Sequence, residues 1–189
     1  MVTSGLRERS KARRREAILR SAYRLFADRG FEAATVAEIA AEAEVAPRTV
    51  THYFPSKLDI ALAYFDELAE DLAVVLRDRR ADGDTLEALE RWLREDEEEP
   101  DVLAGLADAM LRANPQLKGL CMTRLADVIA EGAASLAHER GDAPGSLAPR
   151  MAAAAAAAVL VELGPDPSAA DIDMVMAFLK AAVAALPST

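Results

Sequence analysis

Disulfide chemistry is missing from this sequence. Cys121 is the one cysteine among 189 residues, so no intrachain bridge forms and a stapled secreted scaffold is excluded. Histidine is almost as scarce: His52 and His138 are 86 positions apart, with no H-x-x-x-H or Cys/His spacing between them that would ligate a metal. No glycine-rich phosphate loop and no nucleophile elbow occurs, and Cys121, among Leu120, Met122 and Leu125, reads as a small buried hydrophobe. These absences point away from an enzyme and predict neither metal nor cofactor. Long apolar runs are lacking too. The longest, Met151 to Val161, is eleven residues and mostly alanine, against the roughly 20 needed to cross a bilayer. The basic N-terminus is not followed by an apolar stretch with a cleavage site, so a signal peptide is not expected, and the expected location is cytoplasmic, without a membrane partner.

Aromatic residues make up 5% of the chain and β-branched alternation is nearly absent, whereas Ala and Leu recur at helical spacing, which predicts an all-α protein of about nine helices. Ile18, Ala22, Leu25 and Phe26 mark a first helix that Gly30 ends. Thr35 and Glu38 form a capping box at the start of a short second helix with Val36, Ile39, Ala40 and Ala43 on its inner face. Pro47 opens a third, where its missing N–H costs nothing, and Pro55 stops it. Ser56 and Asp59 start a long fourth helix along Leu58, Leu62, Phe65, Ala69, Leu72 and Leu76, extending to about Arg80. A fifth begins at Asp84 and Glu87 and is broken by the acidic run Glu95 to Glu99 and Pro100, a solvated loop by its composition. A sixth ends at Ala113. The seventh is expected to run unbroken from the Asn114-Pro115 cap to Arg140, the eighth from Leu147 to Leu163, and the ninth from Ser168 to Leu186. The alanine run Ala152 to Ala158 has two readings, a strong helix former and a surface for close helix approach.

Charge is segregated along this pattern. Residues 1–57 hold 11 Lys+Arg against 7 Asp+Glu, and residues 58–189 hold the other 11 against 25, so a head of +4 and a body of −14 make up the net −10. Division at residue 57 separates a basic arm and three short helices (1–57) from a larger helical bundle (58–189). Two short helices around a tight turn form a helix-turn-helix, and with Val50 and Phe54 facing inward, Arg48, Thr51 and His52 project outward.

Residues 35–57 closely resemble the signature of the tetracycline-repressor-like (TetR) family of bacterial transcriptional regulators, through Thr35-Val36, Ile39-Ala40, Ala43, Val45, Thr49, Tyr53-Phe54 and Ser56-Lys57. Upstream, Ala17-Ile18-Leu19, Ala22, Leu25-Phe26 and Gly30-Phe31 match the same family, so the resemblance covers about residues 11–62. Two positions depart from it. Glu44 stands in the turn where the family usually has glycine, which would cost on the order of 1 kcal/mol in a left-handed conformation. Ala46 stands where the family commonly has serine, at a loss of about 1 kcal/mol of capping.

The resemblance implies a DNA-binding regulator, a ligand-released repressor acting as a homodimer on a palindromic double-stranded operator. It implies base-edge contact by Arg48, Thr51 and His52, and phosphate contact by Thr49, Tyr53, Lys57 and the helix start at Thr35; Tyr53 also reads as a core aromatic and Lys57 as a solvated lysine. The arm with Arg13, Arg14 and Arg15 reaches the backbone or minor groove, or is a disordered tail in the free protein. For an unidentified small-molecule effector the implied pocket residues are Phe65, Trp92, Leu106, Met110, Leu117 and Met122, each of which also reads as ordinary core. The implied dimer contacts are Met151, Ala155, Ala158, Val159, Met174, Phe178, Ala182 and Leu186 on the last two helices. Competing readings are a ligand-independent DNA-binding protein and a helical-bundle small-molecule binder.

Overall fold

A computed structural model describes residues 2–78, 84–95 and 101–187. Among them the regular structure is helical throughout: α1 (Val2–Arg29), α2 (Val36–Glu42), α3 (Pro47–Tyr53), α4 (Lys57–Asp78), α5 (Thr85–Glu95), α6 (Val102–Ala113), α7 (Gln116–Arg124), α8 (Ala126–Arg140), α9 (Leu147–Leu163) and α10 (Ala169–Ala184). The all-α expectation holds. The acidic run beyond Glu95, Pro100 and the end of the fourth helix at Arg80 lie outside the described residues.

Local chemistry accounts for most boundaries. Ser168, the expected start of the last helix, forms a capping box with Asp171 at α10, and Asp84 Oδ1 accepts from the Leu86 N–H at 2.8 Å to open α5. Gly141 closes α8 in the left-handed conformation, φ 69°. The seventh helix is not continuous as expected; it divides at Leu125, whose φ of −92° and ψ of 6° depart from helix. Thr123 supplies a reason: its hydroxyl donates to the Leu120 carbonyl at 2.6 Å, and the Leu125 N–H turns to Met122 at 3.4 Å, so local bonds compete with the ladder. The arm also differs from a free tail, since Arg13, Arg14 and Arg15 are residues of α1.

Two compact units emerge. The first comprises residues 1–64 and 102–117, the second 65–101 and 118–189, so α6 joins the N-terminal helices although 37 residues separate it from them. In the first, Ile18, Leu19, Tyr23 and Phe26 of α1 are fully buried with Ile39, Val50, Ile60 and Met110. Burying a side chain of this size contributes about 1.5–3 kcal/mol. In the second, Leu72 and Leu76 of α4, Leu86 and Leu89 of α5, Val128 of α8, and Ile172, Met176 and Leu179 of α10 form one core with Trp92 packed against it.

Candidate nucleic-acid interface

The interface is built from α2, α3 and the turn between them. Thr35 caps α2 with extended backbone: its hydroxyl accepts from the Glu38 N–H at 3.2 Å and donates to the Glu38 carboxylate at 2.8 Å, which in turn accepts from the Thr35 N–H at 2.9 Å. These bonds to Thr35, side chain first and backbone second, lower the Glu38 pKa, and the Arg29 guanidinium at 2.8 Å adds to the effect. At the other end of α2, Glu44 is held at φ +54°. Its N–H bonds Ala41 at 3.2 Å and the Val45 N–H bonds Ala40 at 2.9 Å, the paired pattern of a Schellman motif, so the left-handed strain expected from sequence is present.

Pro47 begins α3, and Ala46 before it makes no side-chain cap. Val50 is fully buried and Phe54 nearly so, which turns Arg48, Thr51 and His52 outward as exposed residues, with Thr49 and Tyr53 half-buried beside them. The Thr51 hydroxyl donates to the Arg48 carbonyl at 3.2 Å, and the His52 and Tyr53 rings meet edge to face at 5.8 Å. Arg13 and Arg14 are exposed on α1, while Arg15 lays its guanidinium over the Phe54 ring, 5.4 Å from the centroid.

Lys57, read as a phosphate contact or a solvated lysine, is engaged within the protein. Its Nζ donates to the Glu32 carbonyl at 3.0 Å and the Ala34 carbonyl at 3.1 Å, and sits 4.6 Å from the Phe31 ring centroid. One residue was missed by the sequence reading. Asn114, 2% exposed, accepts from the Phe31 N–H at 2.6 Å and donates to the Phe26 and Met110 carbonyls, both at 2.8 Å. Its sequence signal, Asn before Pro, indicated a helix start; the Leu117 N–H does bond its backbone carbonyl at 2.9 Å, but the side chain serves α1.

The residues expected around an effector divide between the units: Leu106, Met110 and Leu117 in the first, Phe65, Trp92 and Met122 in the second. Met110 and Leu117 are fully buried. A cleft of about 730 Å³ opens elsewhere in the second unit, between α8 and α9, lined by Ile129, Ala133, Ala137, Leu147, Met151 and Ala154 with His138 and Arg150. Of the expected dimer residues, Met151, Met174 and Phe178 are each more than half exposed, Ala155 and Ala158 are exposed, and Val159, Ala182 and Leu186 are half-buried. Among the described residues no cluster of His, Cys, Asp or Glu is placed to hold a metal, and no helix is long and apolar enough to cross a membrane.

Comparison with known proteins places this geometry. The chain is 34% identical over 122 residues to the HTH-type transcriptional regulator TcmR of Streptomyces glaucescens, a stretch that is 61% of this chain and 54% of that protein, so the chain spans about half the length of this curated relative. Among solved structures, GusR of Salmonella enterica matches over 90% of this chain and 95% of its own at a TM-score of 0.59 and 20% identity. PfmR, a TetR family transcriptional regulator from Thermus thermophilus, matches over 90% and 98% at a TM-score of 0.55 and 18% identity. Both likenesses concern the fold. The N-terminal segment is more specific: residues 18–64, which contain α2, α3 and the Glu44 turn, match the family model of bacterial regulatory proteins, tetR family. That segment, carried on an all-helical fold, is what the chain shares with the tetR family of bacterial regulatory proteins.

Proposed function

We propose that this protein is a sequence-specific transcriptional regulator in which residues 1–57 bind double-stranded DNA and residues 58–189 dimerise and respond to a small-molecule effector, most simply as a repressor released by its ligand. The observation that carries the DNA reading is the face of α3, where a cation, a hydroxyl and an imidazole stand exposed on a helix anchored from behind by Val50 and Phe54. Arg48 offers two parallel hydrogen bonds to guanine O6 and N7, and the Thr51 methyl suits a thymine methyl. Thr49, Tyr53, the start of α2 at Thr35, and Arg13 and Arg14 flank that face and serve the backbone.

A homodimer is supported by apolar exposure on the last two helices. Met174 and Phe178 of α10 are 65% and 56% exposed, and Ala155 and Ala158 of α9 are exposed, an arrangement that a second copy would cover. A two-fold dimer presents two α3 faces and so calls for a nearly palindromic site. For the effector, the α8–α9 cleft supplies a volume in the range of small-molecule sites. The function places the protein in the cytoplasm with the DNA.

Selection of duplexes from a random pool by the full-length protein tests the reading. A palindromic consensus bound tightly over non-specific DNA is the expected result, and a protein that enriches no sequence would be a helical-bundle small-molecule binder instead. Screening effectors for release of the selected duplex then separates a ligand-responsive repressor from a ligand-independent DNA-binding protein.

A further inference from the structure

The segment 30–34 connects α1 to the Thr35 cap of α2, and two side chains from distant parts of the chain hold it. Asn114, at the end of α6, meets its start: Oδ1 accepts from the Phe31 N–H at 2.6 Å, while Nδ2 donates to the Phe26 carbonyl of α1 and the Met110 carbonyl of α6, both at 2.8 Å. Lys57, the first residue of α4, meets its remainder through the Glu32 and Ala34 carbonyls at 3.0 and 3.1 Å. Phe31 lies between the two holds, with Lys57 Nζ 4.6 Å from its ring centroid and the Phe26 ring 5.2 Å away, edge to face. All these groups belong to the first unit, yet α4 runs on into the second at residue 65, and the α6 segment is bounded on both sides by it, at 101 and 118.

These contacts have a physical asymmetry. Asn114 is 2% exposed, and three of its hydrogen-bonding sites are used on backbone groups: the Phe31 N–H, and the Phe26 and Met110 carbonyls, which also accept from the Gly30 and Asn114 N–H groups. Lys57 spends two of its three N–H donors on backbone carbonyls of the turn, which fixes its ammonium against the 30–34 segment. We infer that Asn114 and Lys57 are positioning residues for DNA recognition: they clamp the 30–34 turn between the two segments that continue into the second unit, and so set the attitude at which α2 and α3 meet the duplex. This rests on the DNA-binding reading proposed above.

The test uses the duplex selected from the random pool and the full-length protein, with Lys57→Met, Asn114→Ala and the double variant, below the temperature at which each unfolds. Loss of either clamp is expected to weaken binding on the order of tenfold. The double variant should also lose on the order of tenfold, not the hundredfold of independent sites, because both act through one turn. In Lys57→Met the slope of log affinity against log salt should remain that of the wild type. A slope smaller by about 0.9 for each lysine removed would make Lys57 a phosphate contact and overturn its positioning role. Multiplicative losses, or single variants that bind like wild type, would overturn the shared clamp. Should Asn114→Ala not fold, amide exchange in wild type decides its part: the Phe31 N–H is expected to be protected and to lose protection in Lys57→Met, and exchange unchanged by that substitution refutes the coupling. If the pool yields no sequence at all, the DNA-binding reading fails rather than the clamp.

Discussion

At the residue scale, backbone conformation and burial govern the consequences of substitution. Glu44 occupies a left-handed position that glycine adopts without strain, so Glu44→Gly should stabilise the protein by about 1 kcal/mol, raising Tm by roughly 2–4 °C. Glu44→Ala retains a Cβ and should give no such gain; thermal melts of the two variants separate backbone strain from side-chain effects. Arg48 is exposed on α3, on the face proposed to meet DNA. Arg48→Ala should relax specificity at one base pair by about 1 to 3 kcal/mol, and equal weakening on every duplex would argue against base reading there. Cys121 is governed by its surroundings: burial first and the Asp66 charge second push its thiol up to about 11. At pH 8 the thiolate fraction is then on the order of 0.1%, so iodoacetamide should modify the folded protein far more slowly than the protein in denaturant, as mass spectrometry would report. Rapid labelling of the folded state would contradict the buried placement.

At the element scale, capping explains which helices were legible. The boxes Thr35/Glu38 and Ser168/Asp171 each lie within four residues, and both are found where sequence placed them. The α3 start lacks such help, and Ala46→Ser should add about 1 kcal/mol by supplying a side-chain acceptor. Thr35→Ala should remove about as much from α2. Urea titrations of the two variants should therefore move their midpoints in opposite directions, and an Ala46→Ser protein no more stable than wild type would show that the α3 start does not need the cap. The break between α7 and α8 was not legible, because apolar spacing continues across it. The competing Thr123 bond to Leu120 becomes visible only when the backbone is in place.

At the scale of the whole molecule, charge and apolar exposure have separate consequences. On the proposed DNA-binding function, the net +4 of residues 1–57 concentrates attraction for phosphates there, and the net −14 of residues 58–189 disfavours non-specific binding. The exposed Met174 and Phe178 belong to the proposed dimer face. A Met174→Glu/Phe178→Glu protein should sediment as a monomer and lose affinity for a palindromic duplex while remaining helical, because charges on a surface already exposed do not disturb the monomer core. A doubly substituted protein that still sediments at twice the chain mass would place the interface elsewhere.

The amino-acid sequence by itself determined the helical class, most helix starts, the strained turn at Glu44 and the outward face of α3, since these follow from interactions spanning a few residues and from one helical period. Tertiary structure alone decided that α6 packs with the N-terminal helices, that Asn114 and Lys57 grip the 30–34 turn, and that the six residues expected around an effector fall into two units. Asn114 shows the reason. Its partners at Phe31 and Phe26 lie 83 and 88 residues away, and no local pattern encodes which distant carbonyl a buried amide meets. That choice is made when apolar faces pack and the polar groups left between them must find partners or remain stranded.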